Sequence, residues 1–218
     1  MAWRKSRHGR VGPILFHVKL DPEGRLSALD AGQLAKLRTF SGLIAGRGAD
    51  FGVISAGDRQ RVWERHVLDS LRALACLLPD DESLADVGSG GGLPGVPLAI
   101  ARPDLAVTLI EPRRGRVAFL ELVLQELTLQ NVRVLDAPAG EVSERFTVCT
   151  ARALAKPVTT WQLTSPLLSE RGRVIYFAGR SFEESDLVPL SELGVRSNIC
   201  ESDLFPASGS LVIMQFGS

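Results

Sequence analysis

The residues best suited to chemistry lie in one run, Leu84-Ala85-Asp86-Val87-Gly88-Ser89-Gly90-Gly91-Gly92-Leu93-Pro94-Gly95. A short apolar segment leads into a glycine-rich turn, and a second apolar segment, Val96 to Ile100, leads out of it. That order predicts a strand, a nucleotide-cradling loop and a helix. Glycine serves where the backbone must take positive φ or let a ligand approach closely. The loop and the helix N-terminus would then offer N–H donors to a polar or anionic group.

Spacing chooses between cofactors. Gly88, Gly90 and Gly92 fall as G-x-G-x-G, and Leu93 stands where the dinucleotide fingerprint G-x-G-x-x-G needs its third glycine. Asp86, just before the loop, would repel a pyrophosphate. It suits a cationic amino-acid group, reached directly or through water. Both features favour S-adenosylmethionine over a nicotinamide dinucleotide, and so argue against an oxidoreductase. Glu111 closes the next apolar segment, roughly 20 positions past the loop, where a carboxylate can accept hydrogen bonds from both ribose hydroxyls. A P-loop is excluded, because no Gly-Lys-Ser or Gly-Lys-Thr follows the glycines. His8, His17 and His66 do not cluster with spaced ligands, so no metal is expected.

The elements that must position these residues follow from periodicity. Residues 1–25 read as a basic extended arm. Residues 26–80 read as a helical cap, with one helix over Ser27 to Gly46 and a second over Arg59 to Leu78, ended by Pro79. In the second helix, Val62, Val67, Leu71, Leu74 and Leu78 would face inward. Residues 81–218 read as the core that holds the cofactor. Its strands are expected at Leu84–Val87, Leu105–Ile110, Val132–Leu135, Thr147–Thr150, Val174–Phe177 and Leu211–Phe216, with a vaguer segment at Gly194–Ile199. Helices are expected over Arg116 to Leu129 and Val158 to Leu168. Strands alternating with helices imply a parallel sheet covered on both faces, with ligands at the carboxyl ends of its strands.

Composition narrows the setting. The chain has 218 residues, 45% of them hydrophobic, with 25 basic and 25 acidic residues and no formal net charge. That describes a globular chain with one sizeable core. A nucleic-acid partner would have to be met by local charge. Cys76, Cys149 and Cys200 are far apart with no C-x-x-C pair, and read as separate buried thiols in a reducing cytoplasm. No apolar run is long enough to span a bilayer, and no signal-peptide pattern follows the N-terminus.

At this point the motifs resemble a known family. Arg65-His66-Val67-Leu68-Asp69-Ser70-Leu71, then Asp86 through Ile100 with its Gly92-Leu93-Pro94-Gly95, then Arg102-Pro103-Asp104, Glu111-Pro112, Arg116 and Phe119-Leu120 are similar to the bacterial 16S ribosomal RNA guanine-N7 methyltransferase family. This family is also called glucose-inhibited division protein B. Ala151-Arg152-Ala153 resembles its Ser-Arg-Ala. The resemblance runs from about residue 50 to 180 and is dense at 61–121.

The resemblance implies a Rossmann-like class I methyltransferase fold, an α/β architecture. Its mostly parallel seven-stranded sheet would carry helices on both faces and an N-terminal helical cap. It implies S-adenosylmethionine as cofactor and a guanine N7 of 16S ribosomal RNA, free or in the small subunit, as substrate. Asp86, Gly88, Ser89, Gly90, Gly92, Leu93 and Glu111 would contact the cofactor, with Ala139 and Gly140 beside the adenine. Arg152 would stand where cofactor and substrate meet, positioning both. No general base is expected, since guanine N7 already carries a free lone pair. His66 and Asp69, three apart on one helix face, would hold the cap against the cofactor loop.

The chain departs from the family pattern at three places. Gly52-Val53-Ile54 replaces an Asn-Leu-Thr stretch, Pro138 replaces an arginine, and Ala178 replaces a lysine, with Arg180 close by. These positions are expected on the substrate side. They keep open a competing reading, a relative that binds cofactor or RNA without catalysis or methylates another substrate. Three basic patches are candidates for RNA contact: Arg4, Lys5, Arg7 and Arg10; Arg113, Arg114 and Arg116; and Arg59, Arg61 and Arg65. A monomer is expected.

Overall fold

The computed structural model describes residues 29–200 and 209–217. The arm expected over residues 1–25 lies outside the described residues. Seven strands form one sheet: β1 Ser83–Val87, β2 Ala106–Ile110, β3 Val132–Leu135, β4 Phe146–Arg152, β5 Leu168–Phe177, β6 Val195–Cys200 and β7 Leu211–Phe216. Their order is β3-β2-β1-β4-β5-β7-β6. Strands β1 to β5 pair in parallel, whereas β7 runs antiparallel to both of its neighbours. The order reverses between β1 and β4, which is where a ligand crevice opens in such sheets.

Alternation along each strand divides the core in two. Leu84, Val107, Leu109, Val148 and Ile175 face one apolar cluster, which also contains Leu37, Phe40 and Ile44 of the N-terminal helix and Phe119, Leu120 and Val123. Ala85, Val87, Ile110, Cys149, Val174 and Tyr176 face the other, with Trp161 and Leu190. Strands buried on both faces need continuous apolar runs, and those runs made β1, β2 and β5 readable. The cap thus packs into the same cluster as one face of the sheet.

The first helix is Ala31–Arg47, shorter at its start than expected. Asp30 stops it there: its side chain accepts from Gln33 N at 2.8 Å while Asp30 N donates to Gln33 Oε1 at 2.9 Å, a reciprocal capping box. Gln33 also donates through Nε2 to Ile100 O at 2.9 Å, fixing the cap to the end of the Gly95–Ala101 helix. The Pro157–Thr164 helix ends before the expected Leu168, because Ser165–Leu167 tightens into a 3-10 turn around Pro166 and β5 begins at Leu168.

The second cap helix, expected as one continuous span, is a chain of tighter and looser turns. Ala56–Arg61 is 3-10, Trp63–Leu68 is π, Asp69–Leu71 is α and Arg72–Cys76 is 3-10 again. Val62 and Val67 are both buried, and their five-residue spacing fits a π turn better than an α turn. The same widening turns Arg65, His66 and Asp69 toward the sheet.

Cys76 and Cys200 correct another expectation. Read in sequence as separate thiols, they are joined in a disulfide across 124 residues. Cys149 remains a free, buried thiol within β4.

At the opposite, amino-terminal edge of the sheet, Arg173 of β5 is 6% exposed and grips Asp81 with both guanidinium ends, at 2.9 and 2.5 Å. It also donates twice to the Cys76 carbonyl. Removing one partner of a buried, fully hydrogen-bonded pair leaves the other charge stranded. Arg173→Ala should therefore lose roughly 3–5 kcal/mol of unfolding free energy in urea titrations, and Arg173→Lys, which keeps the charge without the fork, should lose less. A loss under about 1 kcal/mol for Arg173→Ala would show the pair to be incidental.

Candidate active site

The chemistry-bearing residues gather at the carboxyl edge of β1, β2, β4 and β5. Gly88, Gly90 and Gly92 all have positive φ, at 71, 57 and 84°, so the chain turns sharply out of β1. Two acidic side chains hold that turn from within. Asp86, 1% exposed, accepts from Gly95 N at 3.0 Å and from Thr150 Oγ1 at 2.9 Å. Glu111, 2% exposed, accepts from Gly90 N at 2.9 Å and from Arg113 N at 3.0 Å. Gly95 must be glycine for the first contact, because a Cβ there would sit 2.8 Å from the Asp86 carboxylate.

Asp86, expected to hold a cationic ligand group directly or through water, has each of its oxygens bonded to a donor of the protein itself. Four of the loop's own N–H groups are likewise turned inward. Gly88 N and Ser89 N donate to Ile110 O, and Gly92 N and Leu93 N to Ser89 O. Ser89 is buried, and its hydroxyl bonds Asp86 O at 2.7 Å. A phosphate cradle needs a set of outward N–H donors, and this loop spends its donors on its own fold. The arrangement suits a nucleoside ligand without phosphates.

The remaining predicted cofactor residues sit around the loop. Leu93 is half-buried against the core below it. Ala139 and Gly140 form a short turn after β3, Ala139–Glu141, with Gly140 exposed. Leu154 rests directly on Gly88, its Cδ1 lying 2.8 Å from where a Gly88 Cβ would be. Sequence reasoning did not single out Leu154; the one signal is its place just after Arg152.

Arg152, at the end of β4, is bound by the cap. Its guanidinium donates to the carbonyls of His66 at 3.2 Å and Arg65 at 3.1 Å and to Ser70 Oγ at 3.3 Å. Nη2 also lies 2.9 Å from His66 Nδ1 and 3.5 Å from Asp69 Oδ2. A guanidinium only donates, so His66 Nδ1 accepts and the ring proton resides on Nε2. Burial, reinforced by the Arg152 charge, lowers the His66 pKa, so the neutral ring is favoured. With its one lone pair already engaged, His66 is no general base. His66 and Asp69 do hold the cap, as expected, but against β4 through Arg152 rather than against the glycine loop.

The three departures from the family pattern separate in space. Val53 Cγ1 fills the place a Cβ on Gly91 would take, and Gly52 O accepts from Arg116 at 3.0 Å. Residues 52–54 therefore cover the glycine loop, not a substrate face. Pro138 precedes the Ala139–Glu141 turn. Of the three, Ala178 lines an open cavity of about 690 Å³ between the cap turns and the ends of β4 and β5, together with Arg152 and Arg180.

The basic patches differ in how free their charge is. The Arg4 to Arg10 patch lies outside the described residues. Arg65 pairs with Asp58 at 2.7 Å, and Arg116 reaches Glu111 at 3.8 Å. Arg59, Arg61, Arg113 and Arg114 are exposed. Among the described residues no group of His, Cys, Asp and Glu could hold a metal ion, and no helix is long and apolar enough to cross a membrane.

Comparisons with known proteins converge on one family. Residues 33–191 match the family model GidB, rRNA small subunit methyltransferase G. The ribosomal RNA small subunit methyltransferase G of Sorangium cellulosum is 42% identical over 177 residues, covering 75% of this chain and 74% of that protein. The protein of the same name from a Nocardioides species is 42% identical over 166 residues, covering 75% of this chain and 65% of its own length. Among solved structures, a SAM dependent methyltransferase from Aquifex aeolicus superposes with a TM-score of 0.53 at 14% identity, covering 70% of this chain and 90% of its own. That likeness establishes the class I methyltransferase fold expected from the sequence.

The buried Asp86 gives this site a testable pH dependence. Burial pushes its carboxyl from 3.8 up to about 6, against the hydrogen bonds from Thr150 and Gly95 that favour the charged form. A raised folded pKa means the native state holds a proton that the unfolded chain has lost. The stabilising contribution is complete below pH 3.8 and is lost as pH rises through about 6. Asp86→Asn mimics the protonated side chain, its oxygen accepting from Gly95 N and its amide donating to Thr150. Wild type should therefore lose about 3 kcal/mol relative to Asp86→Asn between pH 4 and pH 7.5, read by urea unfolding at each pH. Parallel pH profiles for the two proteins would refute the buried-acid assignment.

Proposed function

The chain belongs to the rRNA small subunit methyltransferase G family, and from that membership we propose that it methylates N7 of a guanine in 16S ribosomal RNA, with S-adenosylmethionine as donor. The observation that carries the reading is the inward-bonded glycine loop at the point where the sheet order reverses. It is shaped for a nucleoside without phosphates, beside a basic cavity large enough for an acceptor base.

The chain's residues divide the work. Gly88, Gly90 and Gly92 let the backbone turn closely enough for the donor's amino-acid end. Glu111, just after β2, would offer its carboxylate to the ribose hydroxyls. Leu93, Ala139 and Gly140 border the adenine side. Asp86 acts from beneath, fixing Gly95 and hence the start of the following helix. When bound, S-adenosylmethionine supplies an electrophilic methyl on a sulfonium. As the bond from carbon to guanine N7 forms, the bond to sulfur breaks, leaving a neutral thioether and a cationic N7-methylguanine.

No proton has to be removed first, so the chain needs no base. What it must provide is alignment, with attacking nitrogen and methyl about 3–3.5 Å apart and water excluded. Arg152 serves that purpose as a positioning residue, tying the end of β4 to the cap so that the walls of the two seats keep their spacing. A ribosomal substrate puts the reaction in the bacterial cytoplasm. Nothing in the mechanism calls for a second copy of the chain.

Labelled methyl transfer to small subunits from cells lacking this modification tests the proposal. Turnover that gives 7-methylguanine is expected with the purified protein. Gly88→Asp should abolish donor binding in calorimetry, because its side chain would fill the seat and strain a backbone at φ 71°. Tight donor binding by wild type without any turnover would favour the non-catalytic alternative.

A further inference from the structure

The open cavity lies apart from the glycine loop. None of residues 86–95 lines it, yet Arg152, Ala153 and Ala155 do, and Leu154 between them turns its side chain to Gly88 instead. The segment after β4 therefore borders both the glycine loop and the cavity. Ala153 keeps that shape at φ 51°, a backbone region that non-glycine residues seldom adopt.

Two acids, Asp69 and Asp186, and five cations line the cavity, and the cations are of two kinds. Arg65, Arg72 and Arg152 line it, but each is already paired with Asp58 or Asp69. Lys156 and Arg180 also line it, are exposed, and have no carboxylate within ion-pair distance among the described residues. Phe177 and Phe182 provide apolar wall. The wall also includes His66, whose Nδ1 is held by Arg152. A volume of about 690 Å³ is in the range of sites that enclose one small organic molecule. Unpaired cations beside aromatic surface match a single nucleotide of an RNA strand, whose base stacks while its flanking phosphates find positive charge.

We propose that this cavity receives the target guanosine, drawn out of its stack, with Lys156 and Arg180 holding the flanking phosphates and Phe182 packing against the base. The proposal rests on the rRNA-methylating reading above and adds the seat of the acceptor to it. A base in an A-form helix presents N7 in a deep, narrow groove that side chains do not enter, so the nucleotide must come out to meet the donor. Arg180 then supplies the positive charge that Ala178 does not, two residues further along the same edge.

The experiment compares wild type with Lys156→Ala, Arg180→Ala, their double variant, Phe182→Ala and an Arg113→Ala/Arg114→Ala control. Each is assayed on undermethylated small subunits for KM, kcat and the salt dependence of binding, and separately for donor affinity by calorimetry. Each cavity cation removed should lower the slope of log Kd against log salt by roughly 0.7–1, with donor affinity unchanged. Phe182→Ala should raise KM roughly tenfold without altering that slope, and Phe182→Tyr should restore it. If wild type methylates subunits while the double cation variant keeps both slope and KM, the cavity is not the acceptor seat and the family reading stands. A slope lost only in the Arg113/Arg114 control moves the RNA to another face and overturns the proposal as well. If wild type itself transfers no methyl to subunits, the underlying reading fails and the proposal fails with it.

Discussion

Two buried carboxylates fix the geometry on which the rest of the site depends. Asp86 at the end of β1 and Glu111 at the end of β2 reach under the glycine loop and accept from Gly95 N and Gly90 N. A loop with several residues at positive φ has no ladder of its own, and its N–H groups would be costly to bury unpaired. The two acids satisfy those groups from the inside. The loop is thereby held in one shape before any ligand arrives, and the cost of that shape is carried by the sheet. Burial opposes the ionisation of Asp86. A neutral pH keeps it charged only because its two hydrogen bonds help the ionised form.

The second constraint is the tie between cap and sheet. Arg152 is a β4 residue with almost all of its hydrogen-bonding partners on the turns at 65–70. Those turns are widened into a π turn, and the widening is what lets two main-chain carbonyls, Ser70 and the His66 ring converge on one guanidinium. The Arg-His-x-x-Asp-Ser stretch therefore works as a socket. Arg38 stacked 3.5 Å over Trp63 and Gln33 bound to Ile100 O brace the same cap from its other side. Movement of the cap would move Arg152, and with it Ala153 and Leu154, which border both seats.

Much of this was legible in the sequence, and the rest was hidden for identifiable reasons. Largely apolar runs such as Val107-Thr108-Leu109-Ile110 mark strands buried on both faces, and the glycine loop marks the β1 end, so the sheet could be read almost strand by strand. The irregular cap turns could not. Val62, Val67 and Leu71 satisfy helical spacing loosely, and only packing against the sheet decides which turn widens. Pairings over long separations were also out of reach: Cys76 with Cys200, Arg173 with Asp81, and Val53 with Gly91 carry no local signal. Asp86 and Glu111 were found as site residues because acidic side chains at strand ends stand out. Their inward direction was not legible, since it depends on which N–H groups the finished loop leaves unpaired.

The formal charge balance of zero also gains a physical meaning from the structure. Several cations near the carboxyl edge are matched: Arg65 by Asp58, Arg72 and Arg152 by Asp69, Arg116 by Glu111. Matched charges hold the cap and the loop in place and project little field into solution. Among the described residues, attraction to a polyanion is concentrated where cations remain unmatched. Local charge of that kind gives weak long-range steering and makes affinity depend on a few phosphate contacts. Selectivity must then come from fit, from whether a base can be drawn out and seated beside the methyl donor. A seat of that kind discriminates by access, so a folded RNA in which the target nucleotide is already unpaired would be the preferred substrate over the same sequence held in a helix.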